Sequence, residues 1–556
     1  MTFLDYCKTH GFFKPPQQRQ KWGETQIIPH VNWGDLFFDL FYVAGAYNLA
    51  SILKYDMSFT GLGYFLACFG PIFTNFWSNK MQYDSRFTTP DDAVHVLCEM
   101  IQLMALATAV LHIRPLEYLA HPAMHPETFM FCAANCFGLM HHLFLSSEIQ
   151  YFWVEGEQTP SKHTARANLR HTSITFAITV AATVYSGILY YTDIGGDDKK
   201  TYHGPMILMF VSWITKPLLM YFLIFVRTPS DFKQYTVPMN IDFSIHRFGE
   251  WTMLMLGESV LSLLIVNDIA DSAQDHFYTT FYAGIVSVTL LQYLYFKSQP
   301  HGADQHAMRR TRVAGLAYSF LIQIYSAALI VVGVSYKLLL TEYSSDYADV
   351  KSDESYGTDK ESDGYGDDKD GYDADASGNR LLAGSSSEEK MPTSERQARI
   401  ATMFGLALGA TFLTLDMMTA AHNGFASSKS RLHCPETGQF RAMGLVVVVI
   451  SRLFISAFIM TLGLYYTTPH VVVWFGLGTI VAQVSKQTEN RFVSFFLLKY
   501  THIFRNDTTP LLWFSFALYY YCFRSRLDTW ALFISHVKQQ QHTPRKVVMR
   551  RKISLH

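Results

Sequence analysis

The stretch VAGLAYSFLIQIYSAALIVVGVSYKLLL, Val313 to Leu340, decides the class of fold. A helix crosses the hydrocarbon core of a bilayer with roughly 20 mostly apolar residues, and this run is longer than that. Working outward from it, eleven further apolar runs are bounded by charge, Pro or Gly. They lie near Trp33 to Leu53, Gly61 to Trp77, Ala93 to Ile113, Thr128 to Phe152, Ser173 to Tyr191, Pro205 to Val226, Ser244 to Val266, Phe277 to Phe296, Ile400 to Ala421, Met443 to Tyr466 and Val471 to Val484. The last is short, and reads as a re-entrant or strongly mismatched segment. Phe492 to Phe504 and Leu511 to Phe523 are shorter still. The expected fold is all-α: a polytopic transmembrane helical bundle of about 12 spans.

Composition agrees with this class. Only 16% of the 556 residues are charged and 15% are aromatic, which argues against a string of soluble domains. Fifteen acids against five bases fall between Glu342 and Lys390, so that stretch is net −10 and the remainder of the chain, at −1 overall, is +9. That excess is spread over many short segments and makes no continuous basic face, which excludes nucleic acid as a partner. The mean hydropathy of +0.09 averages this acidic stretch and two polar tails with the apolar runs. The seven cysteines have no framework spacing and no CxxC pair, so neither a disulfide scaffold nor a zinc site is expected. No metal or other cofactor is expected.

Lys and Arg in short loops set orientation. With the N-terminus in the cytoplasm, the inside loops carry fourteen, among them Lys80, Arg86, Arg166, Arg227, Arg309 and Arg441, against four outside: Lys54, Arg114, Lys199 and Lys200. Both termini are therefore expected in the cytoplasm, at the plasma membrane or an internal membrane. The two C-terminal apolar pieces must then both cross or both stay out, and interfacial helices are the favoured reading. The segments are a cytoplasmic tail over 1–32, spans over 33–340, a disordered acidic non-cytoplasmic loop over 341–397, further spans over 398–490, and interfacial helices with a basic tail over 491–556.

Ionisable groups at membrane depth cost several kcal/mol unless paired or hydrated, which makes them the most informative residues. In the first run Asp35 and Asp39 are four apart; in the third His95, Glu99 and Gln102 share a helix face; in the fourth Asn135 and His142, and His141 and Glu148, are each seven apart. The seventh contains Asp242, His246, Arg247, Glu250 and Glu258, in which both His246 and Arg247 can reach Glu250. Lys216, Asp416 and Arg452 lie inside the sixth, tenth and eleventh. The five acids Asp39, Glu99, Glu250, Glu258 and Asp416 outnumber the three bases Lys216, Arg247 and Arg452, so simple pairs cannot neutralise them all. Two readings follow. Lys216, His246, Arg247, Asp416 and Arg452 pair between helices and fix packing, while Asp39, Glu99, Glu250 and Glu258 line a hydrated path. Arg247 and Arg452 each require a carboxylate, with Glu250, Glu258, Glu99 and Asp416 as candidates. Gly257-Glu258-Ser259 is not a nucleophile elbow, because the position two after Ser is Leu261.

Asp35-Leu36-Phe37-Phe38-Asp39-Leu40-Phe41-Tyr42-Val43 resembles the E-L-F-F-D-L-x-F-V opening of the low-temperature-requirement A (LtrA) family of multi-pass membrane proteins, with Asp35 in place of Glu. Arg247-Phe248-Gly249 followed by Leu256-Gly257-Glu258-Ser259 is similar to the family's E-R-x-G…L-G-E-S segment, with His246 where Glu is usual and Glu250 as an added acid. Tyr293-Leu294-Tyr295-Phe296-Lys297 resembles its W-x-Y-F-D element, with Lys297 for Asp. The resemblance runs from about Trp33 to Asn490 apart from the acidic insertion. It implies fold and membrane location.

The residues thus point to a channel or secondary transporter for an ion, proton or small polar solute, in contact with the lipid bilayer and not an enzyme. A membrane scaffold or stress-response factor is the alternative, and a membrane-embedded enzyme using His95, His141 or His142 the third reading. The topology is testable. Protease added to sealed, right-side-out membranes should cut between Tyr343 and Met391 and spare both tails; cleavage of the tails with the loop intact would reverse the orientation.

Overall fold

Main-chain N–H and C=O groups find no water in hydrocarbon, so apolar runs can satisfy them only as helices. That is how they appear in the computed structural model, which describes residues 11–24, 33–89, 91–152, 154–192, 202–226, 235–265, 274–300, 305–342, 393–432, 452–461 and 468–487. The acidic segment 343–391, most of the Met443 to Tyr466 run, the two C-terminal apolar pieces and the basic tail lie outside the described residues.

Helix α1 spans Trp33–Tyr55. The next run begins as α2, Phe59–Pro71, where the Ser58 side chain accepts from the Thr60 and Gly61 N–H groups. Pro71 has no N–H for the helix ladder, and the chain continues through a wider π-helical stretch, Ile72–Ser78, before returning to α-helix in α3, Asn79–Asp84. Then come α4 (Ala93–Leu111), α5 (Leu116–Ala120), α6 (Glu127–Tyr151), α7 (Gln158–Tyr191) and α8 (Gly204–Val226). They are followed by α9 (Ile241–Leu264), α10 (Gln274–Ser298), α11 (Ala307–Arg310), α12 (Arg312–Thr341) and α13 (Thr393–Leu432). A helix at 452–460 and α14, Pro469–Gln487, complete the set.

Among the described residues seven helices are long and apolar enough to cross a membrane: α1, α4, α6, α7, α8, α12 and α13. The other expected spans fall short for visible reasons. The α2–α3 unit is broken by its π turn, α9 carries Arg247, Glu250 and Glu258, α10 is diluted by Thr279, Thr280, Ser287, Thr289 and Gln292, and the apolar part of α14 is only Pro469–Val484.

Burial ranks the helices. The apolar window of α12 is 78% buried and that of α4, α7 and α8 only 33%, so α12 is the central helix and the other three present wide apolar faces outward. Around α12, aromatic rings of several helices interlock: Trp77 and Trp251 lie 4.7 Å apart between centroids, Phe73 and Trp251 5.0 Å, and Phe248 and Tyr318 5.5 Å. Small residues let backbones close in, as lipid-embedded packing requires. A methyl added at Gly333 of α12 would lie 2.8 Å from the Cα of Ser259 on α9.

One feature has no helical signature. Residues 11–24 form a strap across one end of the bundle. Gln17–Gln18 pairs antiparallel with Phe87–Thr88 (strands β1 and β2), the Glu155 N–H donates to the Pro16 carbonyl at 3.0 Å, and Trp22 Nε1 donates to the Thr236 carbonyl at 2.6 Å. At the same end the loops enclose an apolar cluster of Tyr83, Phe87, Leu145, Ile149, Val154, Ala165 and Val237. The two ends of the acidic segment are also tied, since Arg396 Nε lies 3.2 Å from Glu342 Oε1 and Gln397 Nε2 donates to Glu342 Oε2 at 3.1 Å.

The α9–α12 contact yields a direct test. Gly333→Ala should destabilise by about 1–3 kcal/mol, because backbone must move to admit the methyl. Gly257→Ala, where nothing lies within 4 Å of an added Cβ, is the control. Melting of both variants in detergent checks this, and an unchanged Gly333→Ala would disprove the close approach.

Candidate functional site

Two groups of buried polar side chains stand out, and α9 builds the first. Asn240 caps it, its Oδ1 accepting the Phe243 N–H at 3.0 Å, and the i, i+3 spacing then sets Arg247 and Glu250 on one face. Arg247 is buried at 6% exposure and donates through both terminal nitrogens to Asp39 of α1, each at 2.9 Å. Its Nη1 also donates to Glu250 Oε2 at 2.6 Å, and Glu250 Oε1 lies 3.1 Å from Nε2 of the exposed His246. The guanidinium carbon sits 5.9 Å from the Trp77 ring centroid. A fork of this kind is the strongest geometry available to a buried cation.

The second group runs through α2–α3, α4, α6 and α8. At one end His95 of α4 is held on both sides. Its Nδ1 lies 2.7 Å from Asp92 Oδ2 and its Nε2 3.0 Å from Glu148 Oε2 of α6. Asp92 is the N-cap of α4, with Oδ1 accepting the Val94 and His95 N–H groups at 3.0 Å, while Oδ2 also accepts the Lys14 N–H of the strap at 2.8 Å. Burial alone would raise the Asp92 carboxyl, but the His95 amide and ring and the Lys14 amide more than offset it and hold it below the ordinary carboxylate range. Glu148 Oε1 is buried without a hydrogen-bond partner among the described residues. Phe13 of the strap stacks on His95 with centroids 5.8 Å apart.

From His95 the polar side chains continue inward. Two turns along α4, Gln102 Nε2 lies 3.1 Å from His142 Nε2, and the His142 ring also reaches the main chain at Phe76 in the π segment. Beside it Asn75 donates to Asn135 Oδ1 at 3.1 Å, Asn79 donates to the Asn75 carbonyl at 3.4 Å, and the Lys216 ammonium donates to Asn79 Oδ1. A small cleft lined by Lys80, Asp84, His95, Glu99, Gln102 and His141 has room for about one water molecule. Lys80 bridges Asp84 at 3.0 Å and the half-exposed Glu99 at 3.7 Å in its wall.

The sequence-derived candidates therefore separate. Asp39 and Glu250 come together on Arg247, Glu99 lies in the wall of the cleft, and Glu258 lies apart from both. Glu258 is fully buried, with Oε1 accepting from Ser262 at 2.9 Å and Oε2 without a hydrogen-bond partner among the described residues. Arg452 forms an ion pair with Asp416, and its Nε donates to Gln483 Oε1 at 3.0 Å. The expectation that each buried arginine finds a carboxylate is thus met, although the fork on Arg247 comes from Asp39, which was not among the candidate partners. The sequence puts His95 and Glu148, and Gln102 and His142, only on separate helix faces; the structure joins them.

Several residues were missed. Asp92 carried a readable signal, an acid just ahead of an apolar helical run, and Asn75 and Asn79 stand four apart on one side of such a run. His306 and His422, buried with ring centroids 4.4 Å apart, carried none. His306, in the connection before α12, is held near pKa 3 by burial and by the neighbouring His422, and is neutral at pH 7.

Long apolar helices closed around paired, buried charges define a multi-pass integral membrane protein. The chain belongs to the family described as bacterial low temperature requirement A protein (LtrA), whose match covers residues 30–358. That match takes in the helical residues of both site groups and Glu258, begins after Phe13 and Lys14 of the strap, and stops before Asp416 and Arg452. No curated protein and no solved structure matches the chain.

The Arg247 fork has a measurable weight. Arg247→Ala leaves Asp39 buried opposite a lost partner, and should cost on the order of 3–5 kcal/mol, read as a lower melting temperature in detergent. A loss under about 1 kcal/mol would mean that the pair behaves as an exposed, hydrated one.

Proposed function

We propose that this protein moves an ion, a proton or a small polar solute across the membrane, as a channel or secondary transporter. The path in this reading is the run of polar side chains from Glu99 and His95 through Gln102 and His142 to Asn135, Asn79 and Lys216. One observation carries it: hydrogen-bonding side chains of four neighbouring helical units succeed one another along the bundle, where lipid-facing packing needs only small and apolar residues. Asp39 and Glu250, clamped by Arg247, serve as a fixed counter-charge beside the path, and Glu258 is a second, separate acid that a cation can visit. We take the twelve-span arrangement with both termini in the cytoplasm as part of this reading; its support is the fourteen-to-four asymmetry of basic residues.

Reconstitution of the pure protein in vesicles, with a panel of ions and a pH dye, tests the proposal. Flux should appear for at least one species, and Glu99→Gln or Gln102→Met should lower it about tenfold or more with little change in melting temperature. Absence of flux for every species, with partner proteins recovered on mild solubilisation, would put the scaffold reading ahead.

A further inference from the structure

Resting on that transport reading, we infer that the species moved or coupled is the proton, and that the Asp92–His95–Glu148 triad at the cleft is where it is taken up. The argument begins with hydrogen positions. A neutral imidazole has one N–H and one lone pair, whereas an ionised carboxylate only accepts. Both ring nitrogens of His95 face carboxylate oxygens, at 2.7 and 3.0 Å, so two ionised carboxylates around a neutral ring would set a lone pair against an oxygen. The triad satisfies both contacts only when it holds one proton more than that, either on the ring or on a carboxyl group.

The two carboxylates differ in their freedom to exchange this proton. Asp92 is saturated: it accepts from three backbone N–H groups besides the ring, which fixes it as the anion. Glu148 has one oxygen on the ring and the other buried without a hydrogen-bond partner among the described residues. Glu148 and His95 therefore form the exchanging pair, and Asp92 holds the ring in place.

Access and charge then select the species. The cleft on which His95 opens has room for about one water, enough for a proton relay and too little for a hydrated ion or an organic solute. It already holds an ammonium, Lys80, between Asp84 and Glu99, which opposes entry of a metal cation, and among the described residues no group of three or more His, Cys, Asp or Glu could hold a metal ion. The titratable groups facing the triad are Cys98 and Glu99 on α4 itself, His141 on α6, and Lys80, Tyr83 and Asp84 from α3; the strap contributes the Lys14 amide and the Phe13 ring. Beyond the triad, Gln102 is the next group able to orient a water and His142 the next able to accept and release a proton. In each cycle a proton arriving through the cleft binds the Glu148–His95 pair and later leaves it, and no other bond changes.

Two measurements test this on the full-length protein. In vesicles carrying an internal pH dye, the parent should dissipate an imposed pH gradient. Glu148→Gln and His95→Gln should each slow that at least about tenfold and flatten its dependence between about pH 5 and 8. In detergent, infrared difference spectra of the parent across the same range should show a protonated-carboxyl band that is lost in Glu148→Gln; this needs no flux and keeps the test open if the His95 variant folds poorly. Flux of another solute with internal pH unchanged, both variants matching the parent and no such band, would overturn the inference and leave transport standing. Absence of flux for every ion and solute would overturn the transport reading, and with it the role assigned to the triad.

Discussion

A guanidinium at membrane depth must be given a carboxylate, and this constraint organises the protein. Arg247 and Asp39 are 208 positions apart in sequence and are joined by two parallel hydrogen bonds. Asp39 lies in the α1 motif and Arg247 in the α9 motif that carry the resemblance to the LtrA family. The two motifs are therefore halves of one contact, and once it forms, α1 and α9 are fixed in register. Removing either partner strands a charge where water cannot reach it, so the pair enforces the helix arrangement more by the cost of breaking it than by the energy it adds.

Around this contact α12 supplies polar acceptors to its neighbours. Trp213 of α8 donates to Gln323 at 2.7 Å, and Trp251 of α9 donates to Ser326 at 2.9 Å. Indole rings bring large apolar area, but each also carries an N–H that needs a partner when buried. By meeting that need from one helix, the bundle orients two others about it. The central helix is thus dry and apolar along most of its surface and polar at the few points where a neighbour's rotation must be set. The polar run through α4 and α6 lies away from this dry axis, on helices with much more outward-facing surface.

How much of this was legible follows from what a sequence can encode locally. Apolar length located the helices, and the i, i+4 rule placed His95 with Gln102 and His141 with Glu148 on common faces. The rule is silent on which face of one helix meets which face of another. Helix periodicity accordingly offers Asp39 as a path residue and is blind to its grip on Arg247. The same limit left His95 without its Glu148 and Gln102 without its His142. The span count was less readable still, since α9 and α10 have the length of a span and a polarity that a count of apolar residues does not pass. The strap was invisible because most of its ties run through main-chain atoms or long side chains reaching carbonyls, and main-chain atoms are the same for every residue type. His306 and His422 were missed because a lone histidine in a loop or near a helix end has no pattern around it.

The strap also fixes an order of events during synthesis. Residues 11–24 leave the ribosome before the groups they bind, which include Arg86, Glu155 and Thr236. The strap cannot seat fully until more than two hundred further residues have been made and eight helices, α1 to α8, have been delivered. The strap thus seats in full only after each of its distant partners has followed it out of the ribosome, so it closes over helices that are already in place.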